Sequence, residues 1–225
     1  MLHSQAEISL HSPDAAILFK GGKKNSQQFI PSYFYTQRKL NSVYQQGLAN
    51  NPYAEAALMD IQYEIDGVLT LCENKISRLN GLLDKSKENG INPVVMTNDN
   101  PTKHVVKYLT EYASLMLKMM SRVDLSCLMI RTCHTMNIID DALATDALRQ
   151  LKRSVRAVFD KIVSYDKNIL KDVTREDIRM KTAAAKVMAK KLGIPNDSVM
   201  NSEVSFAQRR LGLLGSDRSP NHATL

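Results

Sequence analysis

The sequence predicts a mainly α protein that opens with one β-strand per chain and continues as long antiparallel helices. Three observations carry that reading. Strict apolar–polar alternation is confined to residues 6–11, apolar residues recur at spacings of three and four over most of the remaining chain, and the nine glycines and seven prolines sit mostly at apparent element ends. At 225 residues and 44% hydrophobic content, the chain is long enough to bury a real core.

Ala6-Glu7-Ile8-Ser9-Leu10-His11 reads as the strand, over residues 5–11. Ser12 caps a helix whose first position is Pro13, where a missing N–H costs nothing, and the helix ends near Gly21-Gly22. A second helical segment spans residues 27–48, broken or delayed by Pro31. Asn51-Pro52 then restarts a helix that runs to about Lys87 with Leu58, Ile61, Ile65, Val68, Cys72, Ile76, Leu79 and Leu83 on one stripe. Some thirty-five residues at roughly 1.5 Å each make a rod on the order of 50 Å long, which has to pack along another long helix. A loop with a short extended piece at Val94-Val95-Met96 comes next. The return helix is expected from Thr102 to about Arg131, another from Asp140 to Tyr165, and a basic one to Leu192 behind a Thr174–Asp177 capping box. Beyond Asn196 the composition is polar and predicts disorder.

One strand cannot satisfy its own backbone groups. With no second good strand in the pattern, its expected partner is the same strand of another copy, giving a two-stranded ribbon of a size that fits the DNA major groove. The alternative, commoner among proteins generally, is a terminal strand added to the edge of its own domain. If Ala6, Ile8 and Leu10 face the helices, period-two alternation turns Glu7, Ser9 and His11 together toward a base edge. Lys20, Lys23, Lys24, Arg38 and Lys39 would then supply phosphate contacts.

Charge is distributed to suit. Residues 1–50 carry five Lys/Arg against two Asp/Glu, residues 51–148 nine against thirteen, and residues 149–225 sixteen against eight, for a net charge of +7. Basic ends attract phosphate backbones without reading sequence. Cys72, Cys127 and Cys133 are odd in number and lie in apolar periodic segments, as reduced core thiols do. The apolar stretch Leu115–Ile139 is interrupted by Lys118, Arg122, Asp124 and Arg131, so no membrane span is expected.

No catalytic constellation emerges. Phe19-Lys20-Gly21-Gly22-Lys23-Lys24 lacks the first glycine and the Ser/Thr of a phosphate-binding loop, Cys133-His134 has no second metal-site cysteine at the right spacing, and Asp140-Asp141 suits a helix start. The chain reads as a non-enzyme without cofactor or metal.

The Glu7-Ile8-Ser9-Leu10 strand, Asn51-Pro52-Tyr53-Ala54 opening a long helix, and Asp172-Val173-Thr174-Arg175-Glu176-Asp177-Ile178-Arg179 near the end occur in an order that resembles the AcaB-type family encoded on integrating conjugative elements and conjugative plasmids. The resemblance covers roughly residues 5–195. It implies a transcriptional activator of conjugation genes with an N-terminal ribbon-helix-helix DNA-binding unit. Joined to the reading of the strand and helices, the expectation is a DNA-binding unit over residues 1–50, a helical dimerisation body over 51–195 and a tail over 196–225, in a homodimer of the bacterial cytoplasm that acts on double-stranded promoter DNA with RNA polymerase or another regulator as partner. The competing reading is a scaffold or relaxosome accessory protein of the transfer machinery.

Overall fold

The computed structural model describes residues 5–24, 28–88, 90, 92–107, 110–169 and 173–201. In chain order these form β1 (Gln5–Leu10), α1 (Pro13–Lys20), β2 (Gly22–Lys24), β3 (Gln28–Ile30), α2 (Tyr33–Leu48), α3 (Pro52–Glu88), β4 (Thr102–Lys107), α4 (Glu111–Thr135), α5 (Asp141–Asn168), α6 (Arg175–Arg179), α7 (Ala183–Leu192) and α8 (Asp197–Met200).

Local signals set most boundaries. Ser12 accepts from the Ala15 N–H with Pro13 behind it, and Asn51 accepts from the Tyr53 and Ala54 N–H groups to start α3. Asn50 takes a left-handed conformation (φ 67°) that closes α2, a geometry asparagine tolerates better than most residues. At Thr174 both halves of the capping box form with Asp177. The continuous basic helix expected beyond it is two helices. Lys181 adopts φ 54°, its N–H donates to the Ile178 carbonyl and the Thr182 N–H to that of Asp177, so α6 ends in a Schellman turn before Thr182 caps α7.

Two stretches expected to be helical are strands. Residues 28–30 pair antiparallel with residues 22–24, Lys23 opposite Phe29, so the segment before Pro31 is a hairpin arm and α2 starts only at Tyr33. Gly21 makes this turn possible. A Cβ there would lie 2.6 Å from both the Ile30 carbonyl oxygen and the Ser32 nitrogen, and its φ of 64° disfavours side chains. Residues 102–107 form β4, and the return helix begins at Glu111, capped by Thr110. Val94-Val95-Met96 forms no regular element.

By packing, the described chain divides into two compact units interleaved in sequence: Met1–Asn41 with Ile61–Ser164, and Ser42–Asp60 with the chain from Tyr165. The first buries Leu10, Phe19, Tyr33, Ile61, Ile65, Met116, Met119, Met120, Leu151 and Phe159. The methionines of α4 thus serve as core, where their unbranched chains fill irregular gaps. All three cysteines belong to this unit, buried and free. Glu64–Lys161 and Lys75–Gln150 contacts, both 2.8 Å, tie α3 to α5. The second unit buries Val43, Tyr44, Tyr53, Leu58, Val173, Met188 and Val199 around an ion pair between Arg175 and Glu55. The tail expected to be disordered begins with α8, whose Val199 is buried; residues 202–225 lie outside the described residues.

Candidate nucleic-acid interface

The N-terminal strand finds its partner within its own chain. β1 pairs antiparallel with β4 over its whole length, from Gln5 opposite Lys107 to Leu10 opposite Thr102. This corrects the expectation of one strand per chain: β4 satisfies one edge of β1 without a second copy. The physical cause lies in Thr102–Lys107, whose valines and alternating lysines suit a half-buried strand.

Directly opposed residues share a face, so the register sorts the ribbon into two sides. Ile8, Leu10 and Val106 are buried on the inner one. His104 joins them, stacked on Phe19 at 4.4 Å, with Phe19 in turn stacked on Tyr33 at 4.5 Å. Burial, helped by the charge of Lys20, pushes the His104 imidazole below its usual pKa. On the outer side Gln5, Glu7 and Ser9 stand opposite Lys107, Val105 and Lys103. Glu7, Lys103, Val105 and Lys107 are exposed there. The result is a polar strip bearing two cations and hydrogen-bonding side chains of both kinds.

Both edges of the strip adjoin grooves. Beside β4, Arg38 and Phe34 of α2 line one of about 330 Å³ with Val105 and Lys107. Beside β1, Ser114, Lys118 and Ser121 of α4 line another of about 380 Å³. The Gln37 side-chain amide donates to the Lys107 carbonyl (3.0 Å), holding β4 against α2.

The ribbon is anchored where β1 turns into α1. The Asp124 carboxylate on α4 accepts from the backbone N–H groups of His11 (3.0 Å) and Ser12 (2.7 Å). Reciprocally, Asp14 on α1 takes Arg131 of α4 and Lys152 of α5, each at 2.5 Å. Burial alone would raise the Asp14 carboxyl, but hydrogen bonds and charge from Lys152 and Arg131 outweigh it and hold the pKa below the usual value of 3.8. A depressed folded-state pKa contributes stability that is present above the unfolded value and is lost as pH falls through the folded one. Asp14→Asn is therefore expected to lose about 2 kcal/mol at neutral pH in urea unfolding, with the gap to wild type closing below about pH 4. A gap independent of pH would show that the carboxylate charge contributes nothing.

The residues read from sequence are thus partly assembled. Glu7 and Ser9 lie on the outer strip. His11 does not: β1 ends at Leu10, the His11 N–H is taken by Asp124, and its ring Nδ1 meets the Asn98 carbonyl oxygen at 3.2 Å. Arg38 is exposed beside β4, Lys20 is exposed at the end of α1, and Lys39 is half-buried with its ammonium over the Tyr35 ring (5.7 Å). Lys23 and Lys24 fall in β2, where their side chains lie outside the described residues. Sequence reading missed Lys103, Lys107 and Gln5. The signal was the β-branched content of the segment, Thr102, Val105 and Val106, masked by Pro101 acting as a helix-start cue.

Among the described residues no group of three His, Cys, Asp or Glu side chains could hold a metal ion, and no helix is long and apolar enough to cross a membrane. A family model described as "Transcriptional regulator AcaB" matches residues 1–209. Among solved structures, the crystal structure of selenomethionine-containing AcaB from uropathogenic E. coli is similar at 14% sequence identity, with 88% of this chain and 95% of that chain covered and a TM-score of 0.61. At that identity the likeness is one of fold. No curated protein matches the chain. Because the family model spans nearly the whole sequence, including β1, β4 and the helices that carry them, the chain belongs to the AcaB family of transcriptional regulators.

Proposed function

We propose that the chain is a sequence-specific, DNA-binding activator of conjugative transfer genes, acting as a homodimer that inserts its N-terminal ribbon into the major groove. The observation that carries this is the outer strip, where Gln5, Glu7 and Ser9 face Lys107, Val105 and Lys103 on a two-stranded ribbon. A ribbon of that width enters the major groove, where amide and hydroxyl side chains read base edges and lysines hold phosphates. Family membership supports the regulatory role. Activation then needs a further contact with RNA polymerase or another regulator.

The test is fluorescence anisotropy with promoter duplex from a transfer operon and a scrambled duplex of equal length, over a salt series. Lys103→Ala with Lys107→Ala is expected to weaken binding to both duplexes about tenfold or more and to flatten the salt slope by about 2. Gln5→Ala and Ser9→Ala should instead change preference between duplexes, by about 1–3 kcal/mol per lost base contact. Equal affinity of the wild type for both duplexes, or none for either, would favour a scaffold of the transfer machinery instead.

A further inference from the structure

Away from the ribbon, α5 presents Arg149, Lys152, Arg153 and Arg156 at spacings of three and four, which align them on one helix face. Arg131 of α4 and Asp14 of α1 join them around an open cleft of about 490 Å³. Five cations against one carboxylate leave the lining strongly positive. Asp14 is already engaged by Arg131 and Lys152, and Asp146 pairs with Arg149 at the rim, which still leaves the cations in excess. Like charges at this spacing repel, and a bound anion would relieve that repulsion. Arg156 lines the cleft, and its buried Nε–H has no hydrogen-bond partner among the described residues.

Arginine forks match the paired oxygens of a phosphate better than a lysine does, and a concave lining suits a compact anion reached from two helices. We propose that this cleft is a phosphate-binding site, separate from the ribbon, in which Arg149, Arg153 and Arg156 of α5 and Arg131 of α4 hold the phosphate groups of a ligand. The same chemistry is offered by a free phosphorylated ligand and by the backbone of bound DNA. The site does not rest on the ribbon reading, and its failure would leave duplex binding through Lys103 and Lys107 untouched.

Sodium tripolyphosphate is the probe, with thermal unfolding monitored by circular dichroism in the full chain. Arg149 and Arg153 are exposed, so Arg149→Gln with Arg153→Gln leaves the core intact. Millimolar tripolyphosphate should raise the wild-type Tm by several degrees, more than sulfate at equal ionic strength, and the double variant should bind it about tenfold more weakly. The variant's affinity for a labelled duplex then identifies the source. Unchanged duplex binding assigns the site to a free ligand, whereas a roughly tenfold loss with a salt slope flattened by about 2 assigns it to DNA phosphates. The proposal is overturned if tripolyphosphate stabilises wild type and variant equally, or if neither tripolyphosphate nor duplex binding depends on these arginines.

Discussion

Glu55→Ala is expected to cost the protein about 3–5 kcal/mol, the largest loss from any single polar substitution outside the ribbon. Arg175 is 4% exposed and Glu55 1%. The guanidinium donates from Nε to the Val199 carbonyl (3.1 Å) and from its two terminal nitrogens to Asn50 Oδ1 and Glu55 Oε2. It thereby joins the end of α2, the first turn of α3, and α6 to α8. Removing the carboxylate strands a cation where water cannot solvate it, and that desolvation outweighs the loss of the attraction itself. Urea unfolding gives the number. Glu55→Met combined with Arg175→Met should be less damaging than Glu55→Ala alone, because it removes both charges together. A single variant within about 1 kcal/mol of wild type would show that the pair carries no weight.

Asp124→Ala should come next, at about 2–4 kcal/mol, because it leaves two backbone N–H groups at the β1–α1 junction without an acceptor, at about 1–2 kcal/mol each. The effect on DNA should exceed the effect on stability, since the ribbon would lose its hold on α4 while the helical core kept its packing. Hydrogen exchange resolves the two. The amides of His11 and Ser12 should exchange faster by orders of magnitude in the variant, ahead of those in α3. Unchanged protection at those two positions would mean that Asp124 is not what anchors the ribbon.

Much of the fold was readable in the sequence where one strong local signal acted alone. Ser12-Pro13 set the start of α1, Asn51-Pro52 that of α3, and the stripe from Leu58 to Leu83 kept α3 in one piece. Reading failed where two signals competed. Thr102–Lys107 carries the β-branched residues of a strand but sits between a proline and a long helical pattern, and the helical reading absorbed it. Gln28–Ile30 is too short for periodicity to register, and the α6–α7 break uses a left-handed lysine in place of the glycine that would have marked it. The candidate site shows the same division. Alternation identified Glu7 and Ser9 on the outer side of β1, but Lys103 and Lys107 reach that face only through a pairing across nearly a hundred residues. No local pattern in β1 encodes its partner. Arg175, read as part of a basic helix, is instead a buried tie, because its three contacts come from distant segments.

The sulfur chemistry of the first unit has a practical consequence. Burial pushes the Cys127 thiol up to about 12, and the Cys72 and Cys133 thiols are raised by the same cause. In the native fold all three are therefore poor nucleophiles shielded from reagents. A maleimide added to the intact protein can modify them only after that unit opens, and among the described residues the second unit has no cysteine to react. Alkylation thus serves as a clock for one half of the molecule, built in without an engineered label.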